Sequence, residues 1–175
     1  CWIDFFQYHT SQEFYNEVLT IFNETRWIKD EKVKVRHTEG DAKIVTDTQF
    51  VIHQPTTGTT RSTHIDNPLE IYAGLLYMRQ RGDNAKGGDF VIYDAPEINK
   101  VVAKTGREIP KDIEKKEHKK ITYKENTFVM FLNTNKSVHG VTPRENALHD
   151  RLSINIIAEA EKKLGPLFKL NEIVQ

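Results

Sequence analysis

The stretch RSTHIDNPLEIYAGLLYMR, Arg61 to Arg79, decides how the rest of the chain is read. A histidine and an aspartate stand two apart, His64 and Asp66, and a run rich in apolar and β-forming residues follows. On an extended segment, residues i and i+2 project to the same side. His64 and Asp66 then point together, and Ile65 points away. Neutral imidazole and carboxylate are both good ligands for a divalent metal. Two histidines and one carboxylate on one face of an octahedron leave three positions open for substrates. The chain also holds seven histidines and 25 acidic residues, so a single H-x-D pair arises easily by chance. Taken alone, the pair also reads as two solvent-facing polar residues on an ordinary strand.

The segments around this stretch are short and strand-like. "KVKVRH" alternates, and "AKIVTDTQFVIHQ" is long and β-branched. "EIYAGLLYM", "DFVIYDA", "ITYK", "TFVMFLN", "SVHGVTP" and "RLSINIIAE" follow, with turn signals such as Gly82-Asp83-Asn84, Gly87-Gly88 and Asn133-Thr134-Asn135 between them. Many short strands joined by turns predict a mainly β chain, a sandwich or barrel of the jelly-roll kind. Ahead of them, Thr10-Ser11-Gln12-Glu13 has the form of a capping box, and Phe14, Val18, Ile21 and Phe22 follow at helical spacing. An amphipathic helix is expected from about Ser11 to Thr25, with its apolar face on the back of a sheet. The segment from Glu97 to Lys120 is rich in Lys and Glu. It reads as a solvated loop or short helix, or as a lid beside a barrel mouth. A helical tail after Glu159 would be interrupted at Gly165-Pro166.

Composition narrows the functional classes. The 175 residues suit a single domain, 1–175, with a barrel core over about 42–159. The 25 basic and 25 acidic side chains balance, which argues against a nucleic-acid partner. No apolar run approaches the ~20 residues needed to span a bilayer, so no membrane partner is expected. The single cysteine, Cys1, cannot form an internal disulfide, which fits a reducing, cytoplasmic setting.

A metal site would need a third ligand, and His139 in "SVHGVTP" is the best candidate. Gly140 beside it would permit close packing around a metal. His118 lies in the charged segment and reads as solvated. His37 and His53 read as strand histidines. In "RLSIN" the alternation puts Leu152, Ile154 and Ile156 on one face and Arg151, Ser153 and Asn155 on the other. An arginine facing a barrel interior is costly unless paired. Its planar fork, with a hydroxyl beside it, suits a carboxylate ligand bound end-on. Alone, Arg151 also reads as half of a structural salt bridge.

In order along the chain stand H-x-D, an apolar strand with Tyr77, "GGDF" at Gly87 to Phe90, a further apolar strand, "HGV" at His139 to Val141, and R-x-S twelve residues after the histidine. This set resembles the 2-oxoglutarate- and iron(II)-dependent oxygenases, in their prolyl 4-hydroxylase-like branch, over about residues 42–159. The resemblance implies a double-stranded β-helix, which is a distorted jelly roll. It implies that His64, Asp66 and His139 hold Fe(II). It implies that Arg151 binds the distal carboxylate of 2-oxoglutarate, with Ser153 and Tyr77 adding hydrogen bonds. In that family the cosubstrate and dioxygen yield succinate, carbon dioxide and a strong oxidant, which hydroxylates an unactivated C–H bond; ascorbate is a supporting factor. Several members carry a lysine where Arg151 stands, and some have an aromatic residue where Gln54 stands. The implied substrate is a peptide residue, such as proline, or a small metabolite. The competing possibilities are a jelly-roll binding module or assembly component without the chemistry, and a nucleic-acid demethylase on the same fold.

Overall fold

The structure is a computed structural model that describes residues 2–22, 30–55, 61–98 and 108–168. Two helices lead, α1 (Trp2–His9) and α2 (Gln12–Phe22). Eight strands follow: β1 (Val33–Val35), β2 (Ile44–His53), β3 (Glu70–Tyr77), β4 (Phe90–Asp94), β5 (Lys116–Ile121), β6 (Thr127–Leu132), β7 (His139–Val141) and β8 (Arg151–Ala160). A turn of 3₁₀ helix, Lys162–Leu164, ends at Gly165, the expected point of interruption of the tail, and residues 169–175 lie outside the described residues. Among the described residues no helix is long and apolar enough to cross a membrane.

The strands form a five-stranded sheet in the order β1-β2-β8-β3-β6 and a three-stranded sheet in the order β5-β4-β7. Among the described residues only β1 and β2 pair in parallel; the other pairings are antiparallel. The expected mainly β, jelly-roll architecture of the double-stranded β-helix kind is therefore present. Strand β8 lies at the centre of the larger sheet, between β2 and β3. Its alternation sorts the two faces as expected. Ile154, Ile156 and Ala158 pack with Ile44, Ile71 and Tyr72 against α2. Each fully buried isoleucine there contributes about 1.5–3 kcal/mol. Arg151, Ser153 and Asn155 face the opposite way, into a cavity between the sheets. The two sheets meet through Tyr77, Phe90, Tyr123 and Val129.

Helix α2 departs from its expected pattern in two details. The residues it buries are Phe14, Tyr15, Val18 and Leu19, whereas Ile21 is 76% exposed. A face centred between 14/18 and 15/19 turns position 21 outward. The N-terminal cap is Ser11, not Thr10: its Oγ accepts the Phe14 amide at 3.1 Å. The Thr10 hydroxyl instead donates to the Phe6 carbonyl at 2.8 Å, closing α1, an element the sequence pattern did not indicate. Thr25, the expected end of the helix, lies outside the described residues.

The C-terminal end of the charged segment is a strand rather than a loop or helix. Lys116–Ile121 forms β5, the solvent-facing edge of the smaller sheet, paired with β4. Lysines on an edge strand discourage further strand addition. Ile98 and Ile109 are buried against Ile65 and Val138, directly behind the H-x-D segment. Residues 99–107, the middle of the expected lid, lie outside the described residues, as do 56–60 of the loop before Arg61.

Candidate active site

His64 lies in an extended connection between β2 and β3 rather than within a strand. It is tied to β7 by a two-way bridge: its amide donates to the His139 carbonyl at 2.8 Å, and the His139 amide donates back at 3.0 Å. Gly140 makes this closeness possible. A Cβ there would stand 3.2 Å from the Thr63 Cα. The same-side rule holds, since Ile65 is fully buried in the opposite direction while His64 and Asp66 converge.

The three side chains meet in space. His64 Nε2 lies 3.2 Å from one Asp66 oxygen, and His139 Nε2 lies 3.5 Å from the other. One donor atom from each of the three lies within 4.8 Å of the others. The second nitrogen of each imidazole is committed elsewhere. His64 Nδ1 contacts the Ser62 carbonyl at 2.7 Å, and His139 Nδ1 contacts the Ser137 carbonyl at 2.8 Å. A carbonyl can only accept, so both Nδ1 atoms carry the proton and both Nε2 lone pairs face Asp66. Burial alone would raise the Asp66 carboxyl. The neighbouring His64, His139 and Arg61 side chains together outweigh it and hold the group below its usual range. Burial lowers the His139 imidazole, with Asp66 opposing, which favours the neutral ligand form. Phe90 and Phe131 flank the His139 ring at 5.3 and 4.7 Å between centroids.

Beyond this cluster the cavity, about 200 Å³, runs between Val51, Leu75, Phe131 and Ile157 toward Arg151. Strand register delivers the residues at its far end. Arg151 pairs with His53 of β2, and Ser153 pairs with Val51 of β2 and Tyr77 of β3. The Arg151 guanidinium sits 4.9 Å from the centres of both the Tyr77 and Tyr123 rings, and its Nε donates to the Gly88 carbonyl at 3.0 Å. Its Nη2 is buried and has no hydrogen-bond partner among the described residues, and the same is true of the Tyr77 hydroxyl. Burial lowers the Arg151 pKa, the two tyrosines opposing. Burial also raises the Tyr77 phenol to about 12, against the pull of Arg151. A buried cation with a free donor on the wall of a cavity makes a receptor for an anion.

The mouth carries a second arginine. Arg61 Nε lies 3.2 Å from His64 Nε2, and its Nη1 pairs with Glu108 at 3.2 Å. Ser62 also hydrogen-bonds Glu108.

The structure thus brings His64, Asp66 and His139 together and sets Arg151 and Ser153 at the other end of the same cavity; Tyr77 packs its ring against Arg151 without lining the cavity itself. His118 is exposed beside Asp94, as expected, whereas His37 is exposed in a turn rather than on a strand. His53 lines the cavity. Three further contributors were not indicated by the sequence. Tyr123 forms half of the aromatic clasp on Arg151, and the Gly88 carbonyl fixes its Nε. Fully buried Asn133 donates to the carbonyls of Asn67 and Glu70 at 2.7 and 3.2 Å, bracing the chain just after Asp66. They act across 28 to 66 residues of chain, where no local periodicity reports a contact.

A family model described as the 2OG-Fe(II) oxygenase superfamily matches residues 48–158, a span from β2 to β8 that contains every residue of this cavity. The chain belongs to that superfamily. Its metal is accordingly Fe(II) and its cosubstrate 2-oxoglutarate, and the His-Asp-His donor set fits the iron. Among solved structures, a prolyl 4-hydroxylase from Phytophthora capsici aligns over 88% of this chain with a TM-score of 0.50 at 16% sequence identity. This chain spans 41% of that one, and the likeness is one of fold. No curated protein matches the chain.

Proposed function

We propose that this protein is a 2-oxoglutarate-dependent dioxygenase of the prolyl 4-hydroxylase-like branch, which hydroxylates a C–H bond of a peptide residue or small metabolite and releases succinate and carbon dioxide. Residues 1–175 then act as one oxygenase domain. His64, Asp66 and His139 are the Fe(II) ligands. Arg151 receives the distal carboxylate of 2-oxoglutarate, and Tyr77 and Ser153 donate to it. The observation that carries this reading is the pair of complementary ends in one cavity: a neutral-imidazole and carboxylate cluster at one end, and a buried guanidinium with a free donor at the other.

When bound, Fe(II) supplies the redox chemistry that activates dioxygen at the expense of the 2-oxoacid. The chain supplies the geometry. The Ser62 and Ser137 carbonyls hold both imidazoles in the tautomer that presents Nε2. Asp66 stays ionised, offsetting part of the metal's charge. Arg151 fixes one end of the dicarboxylate, so its 2-oxoacid end is directed at the cluster. Val51, Leu75, Phe131 and Ile157 keep water from the reacting centre. A cavity of about 200 Å³ is at the small end of ligand pockets, so the substrate presents a small group through the mouth beside Arg61 and Glu108.

The test is anaerobic Fe(II) titration followed by aerobic conversion of 2-oxoglutarate. Wild type should bind one iron and release succinate without added substrate, and His64→Ala and Asp66→Ala should lose both. Unchanged iron binding in both variants would refute the ligand assignment.

A further inference from the structure

Close to Arg151 lies a second set of charges. The Arg144 and Asp83 side chains are both fully buried, and Arg144 Nη2 meets the two Asp83 oxygens at 3.1 and 2.9 Å. Two charges withdrawn from water are costly unless their remaining hydrogen-bonding groups are also met. Here most are. Asp83 Oδ1 accepts the Ala85 amide at 3.0 Å, and Arg144 Nη1 donates to the His149 carbonyl at 2.8 Å. The pair therefore ties the β3–β4 connection to the β7–β8 connection.

The pair reaches Arg151 by two links, Gly88 of the β3–β4 connection and Tyr123 between β5 and β6. The Gly88 carbonyl accepts Arg151 Nε. Gly88 stands at φ +79°, and the Arg144 Cγ and Cδ lie 3.3 Å from where a Cβ would sit, so the Arg144 stem packs against it. Tyr123 provides the second link. Its ring centre lies 5.9 Å from the Arg144 guanidinium carbon and 4.9 Å from that of Arg151. Its hydroxyl accepts the amide of Leu152, the residue after Arg151, at 2.8 Å. Asp83 acts on Arg144, Arg144 on Gly88 and Tyr123, and these two on Arg151. A guanidinium presents its donors in one plane, so a small rotation of that plane misaligns both hydrogen bonds to a carboxylate. The Gly88 carbonyl and the aromatic clasp of Tyr77 and Tyr123 hold this plane.

We propose that Asp83 and Arg144 are positioning residues that aim the Arg151 guanidinium, and so set the affinity for the distal carboxylate of the cosubstrate. This rests on the role assigned above to Arg151. The experiment uses the full chain loaded with Mn(II), under anaerobic conditions, with two calorimetric probes. 2-Oxoglutarate chelates the metal and reaches Arg151; oxalate chelates the metal and has no distal carboxylate. Asp83→Asn should weaken 2-oxoglutarate about tenfold and oxalate less than about twofold, the size expected for one misaligned charge-assisted hydrogen bond. Arg144→Lys keeps the charge but loses the fork, and should give the same split. It serves in its own right where Asp83→Asn fails to fold. Equal weakening of both probes, or no weakening of either, overturns the proposal. Arg151→Ala separates the two claims. If it spares 2-oxoglutarate, the role of Arg151 itself falls. If it weakens 2-oxoglutarate while Asp83→Asn and Arg144→Lys do not, only the positioning role falls.

Discussion

Replacing Arg151 by methionine should damage ligand binding while sparing the metal-free fold. Methionine keeps much of the stem volume and removes the charge. In the protein without ligand, the guanidinium pays a desolvation penalty of several kcal/mol, since Arg151 is only 2% exposed and its Nη2 has no partner among the described residues. Against this stand one charge-assisted hydrogen bond to the Gly88 carbonyl, worth about 1.5–3 kcal/mol, and two ring faces at 4.9 Å, worth about 0.5–2 kcal/mol each. These terms nearly cancel. Urea unfolding of metal-free Arg151→Met should therefore lie within about 1 kcal/mol of wild type. The ligand has no such compensation. Losing a buried, hydrogen-bonded ion pair costs about 2–5 kcal/mol, or a 30- to 5,000-fold weakening of 2-oxoglutarate on the Mn(II)-loaded protein by calorimetry. The reasoning is refuted if affinity stays within threefold of wild type. It is equally refuted if the metal-free variant loses about 3 kcal/mol or more, because Arg151 would then be a structural ion-pair partner.

Other consequences follow from the same geometry. Gly87→Ala should destabilise by about 3 kcal/mol or more, because φ is +73° and the new Cβ would stand 1.9 Å from the Pro143 carbonyl oxygen. Gly82→Ala, at φ +89° with nothing within 4 Å, should cost only about 1–2 kcal/mol, and equal losses in denaturant titrations would contradict the packing described. Stability should fall at high pH. Burial raises the phenols of Tyr15, Tyr72 and Tyr77, so the folded chain keeps protons that the unfolded chain releases above about pH 10. Their contribution is intact below that value. For Tyr77 it declines by about 1.4 kcal/mol per pH unit up to about pH 12, and a flat alkaline stability profile would contradict the burial. Burial and the neighbouring charge of Arg151 hold the His53 imidazole below the ordinary histidine range. Arg151→Met should move its NMR titration upward, and an unmoved midpoint would separate the two side chains.

Much of the site was legible in the sequence because its parts sit on elements with simple periodicity. The alternation of "RLSIN" placed Arg151 and Ser153 together, and the i, i+2 rule placed His64 with Asp66 even though His64 lies in a connection rather than a strand. The weak points were elements whose form comes from elsewhere. Strand β5 occupies "KEHKKI", five of whose six residues are polar and exposed; it is a strand because β4 offers it an edge. Ile121 ends that strand, and Tyr123 beyond it turns inward beneath Arg151, a role set by contacts with three distant arginines. Helix α1 is held by aromatic contacts among Trp2, Phe5, Phe6 and Phe50 of β2, which no eight-residue window reveals.

The central claim is that one cavity holds Fe(II) at His64, Asp66 and His139 and 2-oxoglutarate between that metal and Arg151. Crystals grown anaerobically with Mn(II) in place of iron and with 2-oxoglutarate test it directly. The account predicts one anomalous peak within coordination distance of His64 Nε2, Asp66 and His139 Nε2, with the distal carboxylate of 2-oxoglutarate on the Arg151 guanidinium. A peak elsewhere, or a dicarboxylate that leaves Arg151 without a partner, would contradict it.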